Sequence, residues 1–243
     1  MDLGELGNRI RKRREQRRLR QADIASALQI SAQAVSKWER GENAPDIAVL
    51  VDLATLLDVT IEWLLGGTSG QRETFPAVVF ATSVQGYAER SGQLSPRQLA
   101  AWANSIHYSV TEAVRQHDGV PVKYVGDGFL GFFVGVNRAE RALAAARTAH
   151  RLVDHGGLAI ALHCGEIFLG QIGHPEYASP DILGAAVNTV FLMMPHVLER
   201  CPTRIGMTDT VAAAIEGGTV PRACGEITIP GLSEPLRLFE PGD

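Results

Sequence analysis

At GGTSGQRE, residues 66–73, the apolar pattern of the chain changes its period. Upstream, apolar residues recur at the spacing of one helix face; downstream, short apolar runs alternate with long amphipathic segments. The stretch itself is polar and glycine-rich, which suits a flexible connection. At 243 residues the chain is long enough for two folding units. The boundary therefore predicts residues 1–67 as one domain, a linker over 68–74, and residues 75–243 as a second.

The first part predicts only helices. A basic amphipathic segment covers 3–17, and residues 21–28 carry Ile24, Ala25 and Leu28 at helical spacing. After a turn at Gln29 and Ile30, Ser31 is a good N-cap for a helix reaching Arg40, which Gly41 ends. Pro45 introduces a helix over 47–57, and a last short one covers 60–65. The second part predicts strands at 77–84, 120–125, 129–134 and 158–163, and helices at 96–116, 138–154 and 184–198. Strands mixed with long helices, including one direct hairpin, indicate an α/β or α+β sandwich.

Charge separates the same two parts. The net charge is only -4, yet between Arg9 and Arg20 the chain has eight basic residues and one acid, Glu15. From residue 71 onward it carries 13 basic and 17 acidic residues. A surface for a polyanion is thus expected near the N-terminus, although a charge run of this kind is more often a solvated helix face. Cys164, Cys201 and Cys224 have neither disulfide-framework nor metal-site spacing, which suits a reducing compartment. No apolar leader opens the sequence, and no apolar run approaches the roughly 20 residues needed to cross a bilayer. A cytoplasmic protein without membrane association is expected.

In QADIASALQISAQAVSKWERG (21–41), Ile24, Leu28, Ile30, Val35 and Trp38 supply a core between two helices joined by a tight turn. Gln33, Ser36, Lys37 and Arg40 are left facing outward, side chains suited to base edges and phosphates. This stretch, with PDIAVLVDLATLLDVTIEWLLGG after it, closely resembles the phage-repressor type (XRE) helix-turn-helix family over residues 3–67. The resemblance implies an all-α five-helix domain that binds double-stranded DNA. It implies that Gln33, Ser36 and Lys37 enter the major groove, that Gln21 bonds a phosphate, and that Arg40 and Asn43 flank the backbone. Such modules read few base pairs and usually act as dimers on two half-sites.

The hairpin VKYVGDGFLGFF (122–133) can be read in two ways from its residues alone. Asp127 is either a turn aspartate beside a snorkelling Lys123, or part of an active-site hairpin. Two further segments, LHCGEIFLGQIG (162–173) and DILGAAVN (181–188), follow in order. Together with VVFATSVQGY and GEITIPGL, these resemble the class III adenylate/guanylate cyclase catalytic domain over about 75–239. That resemblance implies an α/β, ferredoxin-like fold that works as a dimer. In that family two aspartates hold two divalent cations that engage the triphosphate. Asp127 matches the second of them, while the first position is Thr82. Lys123 and Asp181 match the adenine-reading pair, and Asn188 the ribose-positioning asparagine. The arginine expected four residues later is Leu192, and a phosphate-binding lysine expected before Gly231 is Pro230.

The base-reading groups are thus retained and the groups that handle phosphate charge are reduced. The combined expectation is a homodimeric, DNA-binding transcription regulator. Its cyclase-like domain is degenerate and senses an adenine nucleotide, either ATP or a cyclic nucleotide. No cofactor is required, Mg²⁺ or Mn²⁺ entering only at Asp127 with a bound nucleotide. Two alternatives stand beside it: a slow adenylate cyclase joined to a DNA-binding domain, and a dimerisation scaffold with an empty pocket. His163 is expected to be a hydrogen-bonded structural residue.

Overall fold

The computed structural model describes residues 3–66, 74–153, 157–174, 176–215 and 220–242. The helices α1 (Leu3–Gln16), α2 (Gln21–Ala27), α3 (Ala32–Glu39), α4 (Ile47–Leu57) and α5 (Ile61–Leu64) fall where the periodicity placed them. Their ends are set by side-chain caps that satisfy otherwise orphaned N–H groups. Ser31 accepts from Ala34 N, Asp46 from Val49 N and Thr60 from Trp63 N. The core joins Leu6 and Ile10 of α1 to Ile24, Val35, Leu53 and Leu57, all nearly inaccessible. α1 lies so close to α3 that a Cβ at Gly7 would sit 2.3 Å from the Trp38 carbonyl oxygen. Only glycine fits that crossing.

The linker expected at 68–74 lies outside the described residues except for Thr74, which opens β1 (Thr74–Val84). There follow α6 (Tyr87–Gln93), α7 (Pro96–Gln116), β2 (Val120–Val125), β3 (Gly128–Phe133) and α8 (Arg138–Leu152). Then come β4 (Leu158–Ile172), β5 (Ser179–Leu183), α9 (Ala185–Arg200), β6 (Ile205–Thr208), α10 (Asp209–Ala212), β7 (Arg222–Ile227) and β8 (Leu236–Glu240). The sheet order is β2-β3-β1-β4-β6-β8-β7, with β5 paired to β4. Its β4-β1-β3-β2 part, with helical crossovers from β1 to β2 and from β3 to β4, is the ferredoxin-like arrangement. β3 is antiparallel to both β1 and β2.

By compactness the chain forms two units. The first comprises residues 1–76, the short piece 134–136 and the hairpin segment 166–183; the second comprises the rest. In the second unit Phe80 packs edge-on to Phe129 and also against Phe133. Val110, Ala113 and Val114 of α7 and the alanines of α8 (Ala142, Ala145, Ala146, Ala149) close over them. Small side chains on α8 let it lie close to its neighbours. α7 begins on a capping box, Ser95 with Gln98, and has Pro96 at its first position, so its start was legible in sequence.

β4 runs nine residues beyond the expected end at His163, and β5 to β8, α6 and α10 were not anticipated. From Phe168 to Ile172 the extension of β4 pairs with β5, and SPDIL is too short and too polar to read as a strand. His163 donates to or accepts from Thr208 Oγ1 at 3.0 Å, and burial pushes its pKa down. It is structural, as expected.

Candidate functional site

Val35 and Trp38 turn one face of α3 into the core, which leaves Gln33 and Lys37 exposed one turn apart on the other. Ser36, beside them, accepts a hydrogen bond from Arg40 Nη1. The Arg40 guanidinium also pairs with Glu42, and Asn43 Oδ1 accepts from Ala44 N at 2.9 Å. The outer surface of α3 thus presents Gln33 and Lys37 side by side. Ser36 and Arg40 form a hydrogen-bonded pair at its C-terminal end.

Behind α3 lies a node that sequence reasoning missed. The Glu39 side chain is fully buried, yet it receives Arg14 Nε at 2.5 Å and Nη2 at 3.0 Å, and Gln21 Nε2 at 2.8 Å. Arg11 approaches the same carboxylate at 3.5 Å. Burial alone would push this carboxyl up, but the bonds from Arg14 and Gln21 outweigh it and hold it below the usual carboxylate range. The same bond raises the Arg14 pKa. One amide hydrogen of Gln21 is thus committed inside the domain, leaving its second for the phosphate contact expected of it.

Much of the basic run is similarly committed. Arg9 donates to the Trp63 carbonyl at 3.0 Å, and Arg13 to the carbonyls of Leu57 and Asp58 at 2.8 and 2.9 Å. These are the orphan carbonyls at the ends of α4 and α5, where cations are favoured. The arginines staple α1 to the helix ends.

In the second unit, β2 is the edge strand, and Val122 is an extra residue between the Pro121–Gly131 and Lys123–Leu130 pairs. Such a bulge re-aims the side chains beyond it. It explains how a lysine can occupy a strand: Lys123 is exposed at a sheet edge. Tyr124 alternates to the other face, stacking on His107 with centroids 4.4 Å apart and bonding Thr111 through its hydroxyl. His107 lies under the turn and hydrogen-bonds the Gly126 backbone. Burial pushes its pKa down, opposed by that bond and by the Asp127 charge.

Asp127 is drawn to the end of β1. Its Oδ2 accepts from Ser83 Oγ at 2.8 Å and from Val84 N at 2.6 Å. Thr82, expected from the resemblance to stand where the other metal-binding aspartate would be, is only 2 % exposed. Its hydroxyl accepts from Phe129 N at 3.0 Å, extending the β1–β3 ladder by a side chain. The two positions thus meet across the sheet, but only one of them is an acid. Among the described residues no three His, Cys, Asp or Glu side chains converge as metal ligands. A two-ion site needs more oxygen ligands than Asp127 supplies, so these residues do not fit one.

Asn188 and Leu192 lie one turn apart on the exposed side of α9, with Leu192 41 % exposed. Asp181 belongs to the first compact unit, on β5 opposite Gly170, and its Oδ1 accepts from Ile182 N at 2.8 Å. Pro230 and Gly231 form the corner of a turn closed by Leu232 N to Ile229 O at 3.1 Å. Gly231 has φ +91°, so proline before glycine suits the second and third positions of a type II turn. A lysine there would lack that preset geometry.

Residues 10–64 match the helix-turn-helix family HTH_3. The HTH-type transcriptional regulator DicA of Escherichia coli is 34% identical over 94 residues, covering 39% of this chain and 62% of DicA. The uncharacterized protein Rv1319c of Mycobacterium tuberculosis is 30% identical over 187 residues, covering 71% of this chain. The chain spans only about 34% of the length of that relative. Among solved structures, the adenylyl cyclase CyaB from P. aeruginosa superposes with a TM-score of 0.61 at 18% identity, covering 70% of this chain and 95% of CyaB. The guanylyl cyclase Cya2 superposes with a TM-score of 0.54, also at 18% identity, covering 69% of this chain and 92% of Cya2. At such identities the likeness is one of fold.

Proposed function

Starting from a chain that joins an XRE-type helix-turn-helix domain to a class III nucleotide cyclase-like domain, we propose a transcription regulator that reads an adenine nucleotide without turning it over. The observation that carries this reading is Thr82. Where the cyclase chemistry calls for an exposed acid, this chain has a buried neutral hydroxyl already bonded to Phe129 N. Leu192, on the exposed side of α9, likewise brings no charge to developing phosphate negativity. Losing one such stabiliser commonly costs about 10²–10³ in rate. Lys123, Asp181 and Asn188, by contrast, keep the donor and acceptor character that recognition of adenine and ribose requires.

In this reading the cyclase-like domain dimerises the protein and presents two copies of α3 to two half-sites, about one helical turn apart. DicA, a transcriptional regulator by name, supports the DNA-binding half. The test is isothermal titration of the full-length protein with ATP and with cyclic AMP. One of them should bind, and Lys123→Ala or Asp181→Ala should weaken it at least tenfold. Heat exchange with neither nucleotide would end the sensor reading.

A second reading, a slow adenylate cyclase, draws on one observation: Asp127 is retained and tied to β1 through Ser83 and Val84. Cyclic AMP formed in the presence of Mn²⁺, and abolished by Asp127→Ala, would favour it.

A further inference from the structure

We propose that the β4–β5 hairpin is the element through which occupancy at Asp181 reaches the DNA-binding helices, a proposal that rests on the nucleotide-sensing reading above. The hairpin segment 166–183 groups by compactness with the N-terminal helices. Within that unit α4 packs against β5. Phe168 and Leu169 of β4 line a cavity of about 380 Å³ with Val51, Ala54 and Thr55 of α4 and Ile61 of α5.

The hairpin has two different faces. Leu169 and Ile182 are directly paired, and they are only 4% and 1% exposed. The next pair along, Gly170 and Asp181, points to the opposite side because strand side chains alternate. A two-stranded ribbon has little stability of its own, so its position depends on what buries its apolar side. The same ribbon thus carries an apolar pair on one side and a carboxylate on the other.

A bond links the two faces. Asp181 Oδ1 accepts the N–H of Ile182, the residue buried on the opposite side. A ligand donor that engages this carboxylate competes for the oxygen that holds the Ile182 peptide. The cavity beside Leu169 leaves space for the ribbon to settle differently, and packed interfaces of this kind shift between discrete arrangements. α4 in turn contacts α1 and α2, so a displaced hairpin is felt at the helix that precedes α3.

The test uses the full-length protein, a DNA duplex selected by the protein from a random pool, and ATP and cyclic AMP as probes. Nucleotide affinity is read by calorimetry, and DNA affinity by fluorescence anisotropy with and without saturating nucleotide. In the unaltered protein the nucleotide should change DNA affinity by about fivefold or more, the lower end of usual coupling. Leu169→Ala should bind nucleotide and DNA separately about as before, but the change produced by nucleotide should fall below about twofold. Val51→Ala, a milder change on the helix side, covers the case in which Leu169→Ala fails to fold, and should reduce the coupling in the same direction.

Full coupling in folded variants would overturn the proposal and leave nucleotide sensing intact. So would nucleotide binding to the unaltered protein with no change in DNA affinity. No binding of either nucleotide would remove the sensing reading and this proposal together.

Discussion

Glu39→Ala should loosen the helix-turn-helix core far more than a change at a helix surface would. The carboxylate is fully buried and is the shared acceptor for Arg14 and Gln21, with Arg11 at its edge. Arg14 is itself only 12% exposed, so removing its partner leaves a cation with little access to water. Breaking a buried pair from one side typically costs about 3–5 kcal/mol. With every 1.4 kcal/mol worth about tenfold, the lower figure means amides protected by opening of α1 to α3 exchange on the order of 100-fold faster.

Hydrogen exchange of the intact protein by mass spectrometry reads this segment without relying on the rest of the chain. Arg14→Ala and the double variant complete a cycle that separates the pair from its members. Acceleration below about tenfold would refute the reasoning, showing that Glu39 is not an anchor. The pH dependence gives an independent check. The folded pKa of Glu39 is held below its unfolded value of about 4.3, so its contribution is complete above that value and lost as the pH falls through the folded one. The unaltered protein and Glu39→Gln should therefore differ at neutral pH and converge in acid.

Three further outcomes are expected. Lys37→Ala should weaken DNA binding and relax preference at a base position other than the one Gln33 reads, by about 1–3 kcal/mol. Gln33→Ala should relax preference at one base position by about 1–3 kcal/mol, read by competition among operator variants. Thr82→Asp combined with Leu192→Arg should raise Mn²⁺-dependent cyclic AMP formation by about 10² or more. No gain in a folded double variant would mean that these positions are not the ones the chemistry lacks.

The helical domain was legible because its signals are local. Ser31 and Thr60 cap the helices they precede, and Val35 and Trp38 fix which side of α3 faces inward. What the node at Glu39 does was not legible, because Arg14 and Gln21 reach it from other helices. The same limit applies in the second unit. The VGDG turn could be read from residues, but not that Asp127 would be held by Ser83 and Val84, or that Thr82 would accept from Phe129. β5 escaped notice because Ser179–Leu183 contains proline and aspartate and owes its strand to the partner β4. Lys123 was conspicuous as a charge in a strand; the bulge at Val122 that accounts for it leaves no mark in composition.

The arginines that cap α4 and α5 also bear on how the protein meets a polyelectrolyte. DNA affinity at a given ionic strength depends on how many condensed counterions a protein displaces, not on how many cations its sequence contains. Arg9, Arg13 and Arg14 hold protein carbonyls and Glu39, so their guanidinium groups are already engaged before DNA arrives. The arginine-rich stretch then adds less to ion release than its composition suggests. Discrimination among sites rests more on α3, and the complex should tolerate salt better than so basic a segment would imply.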